Sequence, residues 1–251
     1  MITLLSSELR KLTSTRAPWI MSAVLLAAAA GILALLLAGG PQGFDLAGAE
    51  QGLQLTGSLG FGVILSYLLG VVAVTVDHRH GTHVPTYLAT PRRGRVLAAK
   101  LLSASVVGTL VAVLSVLVAF VIGLPWLGGH GVDLGTVLGD PLFWTRLLAA
   151  SVGIVLMAVF GAAVAALVRS TVAAVFVLLG LFAIESIVEL QAPGELFDWL
   201  LFNSLFTFMS PPDPSRPIGG LPYWVGGPIV VGWIAVVAVA ATVRTLRGDV
   251  R

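Results

Sequence analysis

Six uninterrupted apolar runs, each long enough to cross a bilayer as a helix, constrain this chain more than any other feature. They fall at about residues 19–39, 58–76, 101–122, 147–168, 171–190 and 226–243. A hydrocarbon core of about 30 Å is spanned by roughly 20 apolar residues in helical form. Strands of a transmembrane barrel would instead run about 10 residues with alternating polarity, and these runs do not alternate. Water is absent inside the bilayer, so backbone N–H and C=O groups must bond within the segment, which leaves helices. Composition agrees: 57% of residues are hydrophobic and 10% charged, whereas roughly a quarter of a water-soluble domain is charged. The expected fold is an all-α integral membrane protein with six transmembrane helices in a single domain, residues 1–251.

The first run exceeds the 7–15 apolar residues of a secretory signal, so it is expected to be a retained helix. Without cysteine the chain has no disulfide, thiolate metal site or thiol nucleophile. A net charge of +2 gives no reason to expect a nucleic-acid partner. What matters is where the bases lie. Arg10, Lys11 and Arg16 precede the first run, Arg79, Arg92, Arg93, Arg95 and Lys100 separate the second from the third, Arg169 joins the fourth to the fifth, and Arg244, Arg247 and Arg251 follow the sixth. Only Arg146 and Arg216 fall on the opposite side, beside Asp45, Glu50, Asp133, Asp140, Glu195, Asp198 and Asp213. Loops rich in Lys and Arg stay in the cytoplasm, so both termini are expected there, with the plasma membrane as the location.

Two segments are expected to lie along the bilayer. Residues 2–16 place Leu4, Leu5, Leu9 and Leu12 beside Glu8, Arg10 and Lys11, a weakly amphipathic pattern suited to an interfacial helix. Residues 195–209 are apolar but too short to cross, and Asp198 and Asn203 interrupt them. Bounded by Pro193-Gly194 and Pro211-Pro212, they predict a re-entrant or interfacial segment within residues 191–212 on the outer face. Ser58, Gly62, Ser66 and Gly70 repeat every fourth residue of the second run. Such a small-residue face admits a closely packed helix, either from the same chain or from a second copy.

The connection from Asp77 to Lys100 reads DHRHGTHVPTYLATPRRGRVLAAK. Thr82 can cap a helix, Pro85 is tolerated in its first turn, and Pro91 ends it. The expected result is a short helix of Gly81, Thr82, His83, Val84, Pro85, Thr86, Tyr87, Leu88, Thr90 and Pro91 beneath the membrane, followed by Arg92, Arg93 and Arg95 at headgroup level. His78, His80 and His83 have the side-chain type for a transition-metal site, but only Asp77 stands near to complete a shell, and no metal is assigned.

In Asp77, Arg79, Gly81, Thr82, Leu88, Thr90, Pro91, Arg92, Arg93 and Lys100 this loop resembles that of the permeases of type-2 (type V) ABC exporters. SELRKLTSTRAPW, residues 7–19, is similar to the elbow helix of that family, placed here at residues 1–17. The chain departs from the pattern at Asp77, where Glu is common, and at His83 and Tyr87, where aliphatic residues are usual. The resemblance implies a bacterial half-transporter in which two permease chains, identical or paralogous, pair with two copies of a separate ATPase. The loop at 77–95 would be the coupling helix docked on the ATPase. ATP and Mg would bind to that partner, with no cofactor in this chain and no enzyme activity of its own. The sequence independently lacks a Gly-x-x-x-x-Gly-Lys-Ser/Thr phosphate loop.

Glu185 and Glu189 lie one turn apart toward the outer end of the fifth run. A carboxylate within a span faces a partner or a wet cavity, so Glu185, with Glu189, is expected to line a substrate path or to hold the re-entrant segment by accepting hydrogen bonds. Ser103, Ser105, Thr109 and Ser115 are expected to bond to carbonyls of their own helix. The apolar interior points to a hydrophobic or amphipathic substrate, such as a drug, antibiotic or lipid-like molecule. The competing class is a standalone secondary transporter or channel, which needs an intramembrane ion site. A membrane-embedded enzyme or signalling scaffold is a third class, for which no catalytic constellation is present.

Overall fold

A computed structural model describes residues 59–79, 93–191, 195–211 and 222–247, together with residues 20, 23, 27, 30, 31, 55 and 56. The described residues are almost all helical, and no strand occurs among them. The helices are α1 (Gly60–Arg79), α2 (Arg93–Gly129), α3 (Leu134–Gly139), α4 (Pro141–Val168), α5 (Thr171–Gln191), α6 (Glu195–Asp198), α7 (Leu201–Met209) and α8 (Tyr223–Arg247). Four are long and apolar enough to cross a membrane: Val96–Gly129, Pro141–Val168, Thr171–Gln191 and Tyr223–Arg244. They correspond to the third through sixth expected spans. The second expected span appears as a shorter apolar helix, Gly60–Thr75, and most of the first, like the expected interfacial helix at 1–17, lies outside the described residues.

Helix ends follow local chemistry rather than the limits of apolarity. Asp140 accepts a hydrogen bond from the Leu142 N–H at 2.8 Å and precedes Pro141 at the first helical position, where the missing proline donor would have gone unpaired in any case. That start extends α4 by about two turns beyond its apolar run. Asp133 caps α3 in the same way through the Gly135 N–H. At the other end of α4, Arg169 takes a left-handed conformation with φ 62° and donates its N–H to Ala165 O. The chain thereby reverses into α5 within two residues.

α4 is the axis of the bundle, and its neighbours approach through missing side chains. A Cβ on Gly70 of α1 would overlap the Ala158 carbonyl oxygen, and one on Gly161 of α4 would overlap that of Tyr67. Gly62 meets Ile154 and Gly108 meets Val155 and Ala158, while Gly153 receives Met209 and Leu205 of α7. From Gly62 to Gly70 the small-residue face of the second span thus meets α4 of the same chain, and Ser66 within it is fully buried with its hydroxyl donating to Val63 O. In lipid, helices gain no hydrophobic free energy by associating, so close backbone approach and dispersion contacts supply the attraction.

Candidate functional site

One end of the bundle carries Thr75, Arg169, Thr171 and Arg244; the other carries the starts of α4 and α8 and the short helices α6 and α7. At the first end, Arg244 donates to the Leu167 carbonyl and so pairs one of the terminal acceptors of α4. The second end holds the most telling polar arrangement among the described residues.

The chain leaving α5 turns back into the bundle. The Trp199 carbonyl accepts a hydrogen bond from the Trp233 indole at 3.1 Å, and Trp233 lies about 15 Å along α8 from Tyr223. The turn before α7 therefore sits well inside the length of a candidate span, and α7 climbs from there along α8, with Ser204 and Phe208 against Gly226 and Gly227. The apolar run at 195–209 is divided into α6 and α7 at Trp199 and Leu200.

A helix beginning at this depth exposes N–H donors that neither water nor the helix itself can satisfy. Leu200, at the capping position, has no side-chain acceptor. Glu185 of α5 supplies it from a distance in sequence. Phe202 donates its N–H to both carboxylate oxygens at 2.9 Å, and Asn203 donates to Oε2 at 3.1 Å. The carboxylate is 6% exposed and stands at the positive end of the α7 dipole, which favours a negative charge. Asn203 and Ser204 complete the junction: the Asn203 amide donates to Phe197 O and Asp198 Oδ1, and the Ser204 hydroxyl donates to Asp198 O at 2.8 Å.

The opposite end of α5 is also fixed by polar contacts. The hydroxyl of fully buried Tyr67 donates to Ala174 O at 2.7 Å, and Thr171 donates to Thr75 Oγ1 at 2.9 Å. Along its whole length α5 buries only Ala174, Leu178 and Glu185. A carboxylate inside a span signals a partner in the sequence, but the backbone of 202–203 as that partner carries no side-chain signature. Tyr67 had a weaker signal, a hydroxyl in the middle of an apolar run, and was not singled out.

The other expected site residues are distributed as follows. Glu189, one turn beyond Glu185, is exposed and does not join the α7 junction. Gly81, Thr82, His83, Val84, Pro85, Thr86, Tyr87, Leu88, Thr90 and Pro91 lie outside the described residues, as do Arg10, Lys11, Arg16 and Arg92. Arg93 and Arg95 belong to the first turn of α2, and Lys100, expected among the surface bases, is buried in α2. Ser103, Ser105 and Thr109 donate to Lys100 O, Leu102 O and Ser105 O of their own helix.

These features define a multi-pass, all-helical membrane protein. No protein-family model and no curated protein matches the chain.

Proposed function

We propose that this chain is the six-span permease subunit of an ATP-binding-cassette exporter, moving a hydrophobic or amphipathic molecule out of the cell. The observation that carries the reading is the sequence of the loop Asp77 to Lys100, whose Gly-Thr, Thr-Pro and basic pair connect two apolar runs on the basic side of the protein. In this reading two permease chains, identical or paralogous, pair with two copies of a separate ATPase, which holds ATP and Mg. ATPase closure pushes on residues 81–91, and α1 and α2 carry the displacement into the bundle. Both termini face the cytoplasm of a bacterial cell.

The α5–α7 junction supports a moving part at the far end. α5 is held by polar ties near its two ends with little buried surface between, and elements with few buried contacts are those that open most readily. Glu185 links that helix to α7, so displacement of one is passed to the other. The same geometry argues against a standalone ion-coupled carrier, because the one buried carboxylate of the described spans is engaged by backbone N–H groups.

Copurification from the native membrane tests the proposal. The expected outcome is an ATPase bound in equal stoichiometry and released when residues 81–91 are replaced by a Gly/Ser linker. Substrate movement by the purified chain without any ATPase would reject it in favour of the carrier.

A further inference from the structure

We propose that the slot between α2 and α4 is a binding site for one alkyl chain of a membrane lipid, in the leaflet on the α7 side. The slot has a volume of about 560 Å³. Ala112, Leu147 and Ser151 contribute to its lining, together with the exposed side chains of Leu117, Leu148 and Val152.

Both of its ends are closed, and this limits what fits. At one end α2 and α4 cross so tightly that a Cβ on Gly108 would stand 3.0 Å from Val155 Cα and 2.8 Å from Ala158 Cβ. At the other, Phe120 bridges to Phe143 and Trp144, with ring centroids 6.2 and 6.4 Å apart. Gly108 and Phe120 are separated by about 18 Å along α2, close to the roughly 15 Å depth of one leaflet of hydrocarbon. The Trp144 indole donates to Leu138 O at 2.8 Å, which fixes the ring at the mouth in the place where Trp marks the membrane interface.

The lining excludes the other candidates. Water in a cavity needs two to four polar partners, and the two hydroxyls here are already used, Thr109 donating to Ser105 O and Ser151 to Leu147 O. A helix of a second copy is about 10–12 Å wide and would run the whole span, but the slot stops midway at the Gly108 crossing. An alkyl chain matches the length, the width and the polarity. The lining contains no charged residue, so the slot selects a chain and not a headgroup. The inference needs only that α2 and α4 cross the membrane and is independent of the exporter reading.

The test is photolabelling in phosphatidylcholine nanodiscs with a phospholipid carrying a diazirine at mid-chain, followed by peptide mapping. Labelling of residues 109–117 and 144–156 is expected to exceed that of the exposed face of α5 by about tenfold, equivalent to about 1.4 kcal/mol. A phosphatidylglycerol probe should label equally. Ser151→Phe, or Val116→Phe if the first is poorly folded, should abolish the excess while leaving α5 labelling unchanged. Even labelling of all exposed spans in the unaltered protein would overturn the proposal. So would a disulfide between copies through Leu117→Cys or Leu148→Cys in this cysteine-free chain, since it would place a second protein over the slot.

Discussion

α4 and α5 are consecutive, comparably apolar helices separated by two residues, yet one is the axis of the bundle and the other stands at its margin. α4 buries Ala158, Gly161, Ala162, Ala163, Ala165 and Ala166 beside the larger Met157, Phe160 and Val164. α5 turns Val172, Phe176, Leu179, Ile184 and Ile187 outward. In water, burying those larger side chains would drive α5 into a core, but in lipid their exposure carries no penalty. Side-chain size then decides placement: small residues allow backbones to meet, and large ones keep a helix at a distance, where a few polar bonds must hold it. Hydropathy alone cannot distinguish the two helices.

The largest effects are expected where this contrast depends on single atoms. Gly70→Ala should destabilise the bundle by about 3 kcal/mol or more, because the added methyl overlaps backbone and cannot be relieved by a rotamer change. Gly180→Ala on α5, where nothing lies within 4 Å of the added Cβ, should be neutral or stabilising by up to about 1 kcal/mol through helix propensity. Thermal unfolding of both variants in the same detergent measures the difference. Equal midpoints would mean that α1 and α4 are not in close contact.

Next in size is the carboxylate tie. Glu185→Ala leaves the Phe202 and Asn203 N–H groups buried without an acceptor, at about 1–3 kcal/mol each. Amide exchange of residues 201–204 should accelerate by about tenfold or more, since about 1.4 kcal/mol corresponds to a factor of ten, while α4 exchanges as before. Glu185→Gln retains one acceptor oxygen and should fall between. Unchanged exchange at 201–204 in the Ala variant would show that α7 is held by its packing on α4 and α8 alone.

How much of this was legible in the sequence depends on the kind of information each feature carries. The apolar runs located α2, α4, α5 and α8, but set α2 to begin at 101 and α4 at 147, because polar or capped first turns such as Arg93 to Lys100 and Asp140-Pro141 lower the local apolarity without breaking the helix. Asp140-Pro141 is a recognisable helix start that a search by hydropathy passes over. Gly62 and Gly70 announced a close contact but not its partner, since a neighbouring helix in the same chain and one in another present the same requirement. Glu185 stood out as a carboxylate in a span, with support of the 195–209 segment among its expected roles. Its geometry could not be read, because its acceptors are matched to main-chain donors that every residue type except proline possesses.

A smaller effect is expected at the other tie of α5. Tyr67→Phe removes the hydroxyl that reaches Ala174 O but leaves a ring of nearly equal shape. The Ala174 carbonyl retains the helical acceptor geometry of its own turn, so the loss should be about 1 kcal/mol, within the range for a single neutral hydrogen bond. Combined with Glu185→Ala, the two losses should add within about 0.5 kcal/mol, because the sites are at opposite ends of the helix and share no partner. A markedly larger combined loss, measured by thermal unfolding, would mean that the two ties act as one clamp.

The smallest effect provides the sharpest test of whether the margin position of α5 is its final environment. Phe176 and Leu179 are 68% and 55% exposed, and in lipid truncating them exchanges one apolar contact for another. Phe176→Ala and Leu179→Ala should therefore alter the unfolding midpoint of the isolated chain by no more than about 0.5 kcal/mol. The same variants in the assembled protein address a different question. If α5 faces lipid there too, the change remains as small. If another chain packs on it, each truncation removes buried contacts at that interface and should cost about 2 kcal/mol or more, in the range for large-to-small substitutions in a packed core. A difference between the isolated and assembled measurements would locate a protein neighbour on α5 and make its marginal position a property of the single chain alone.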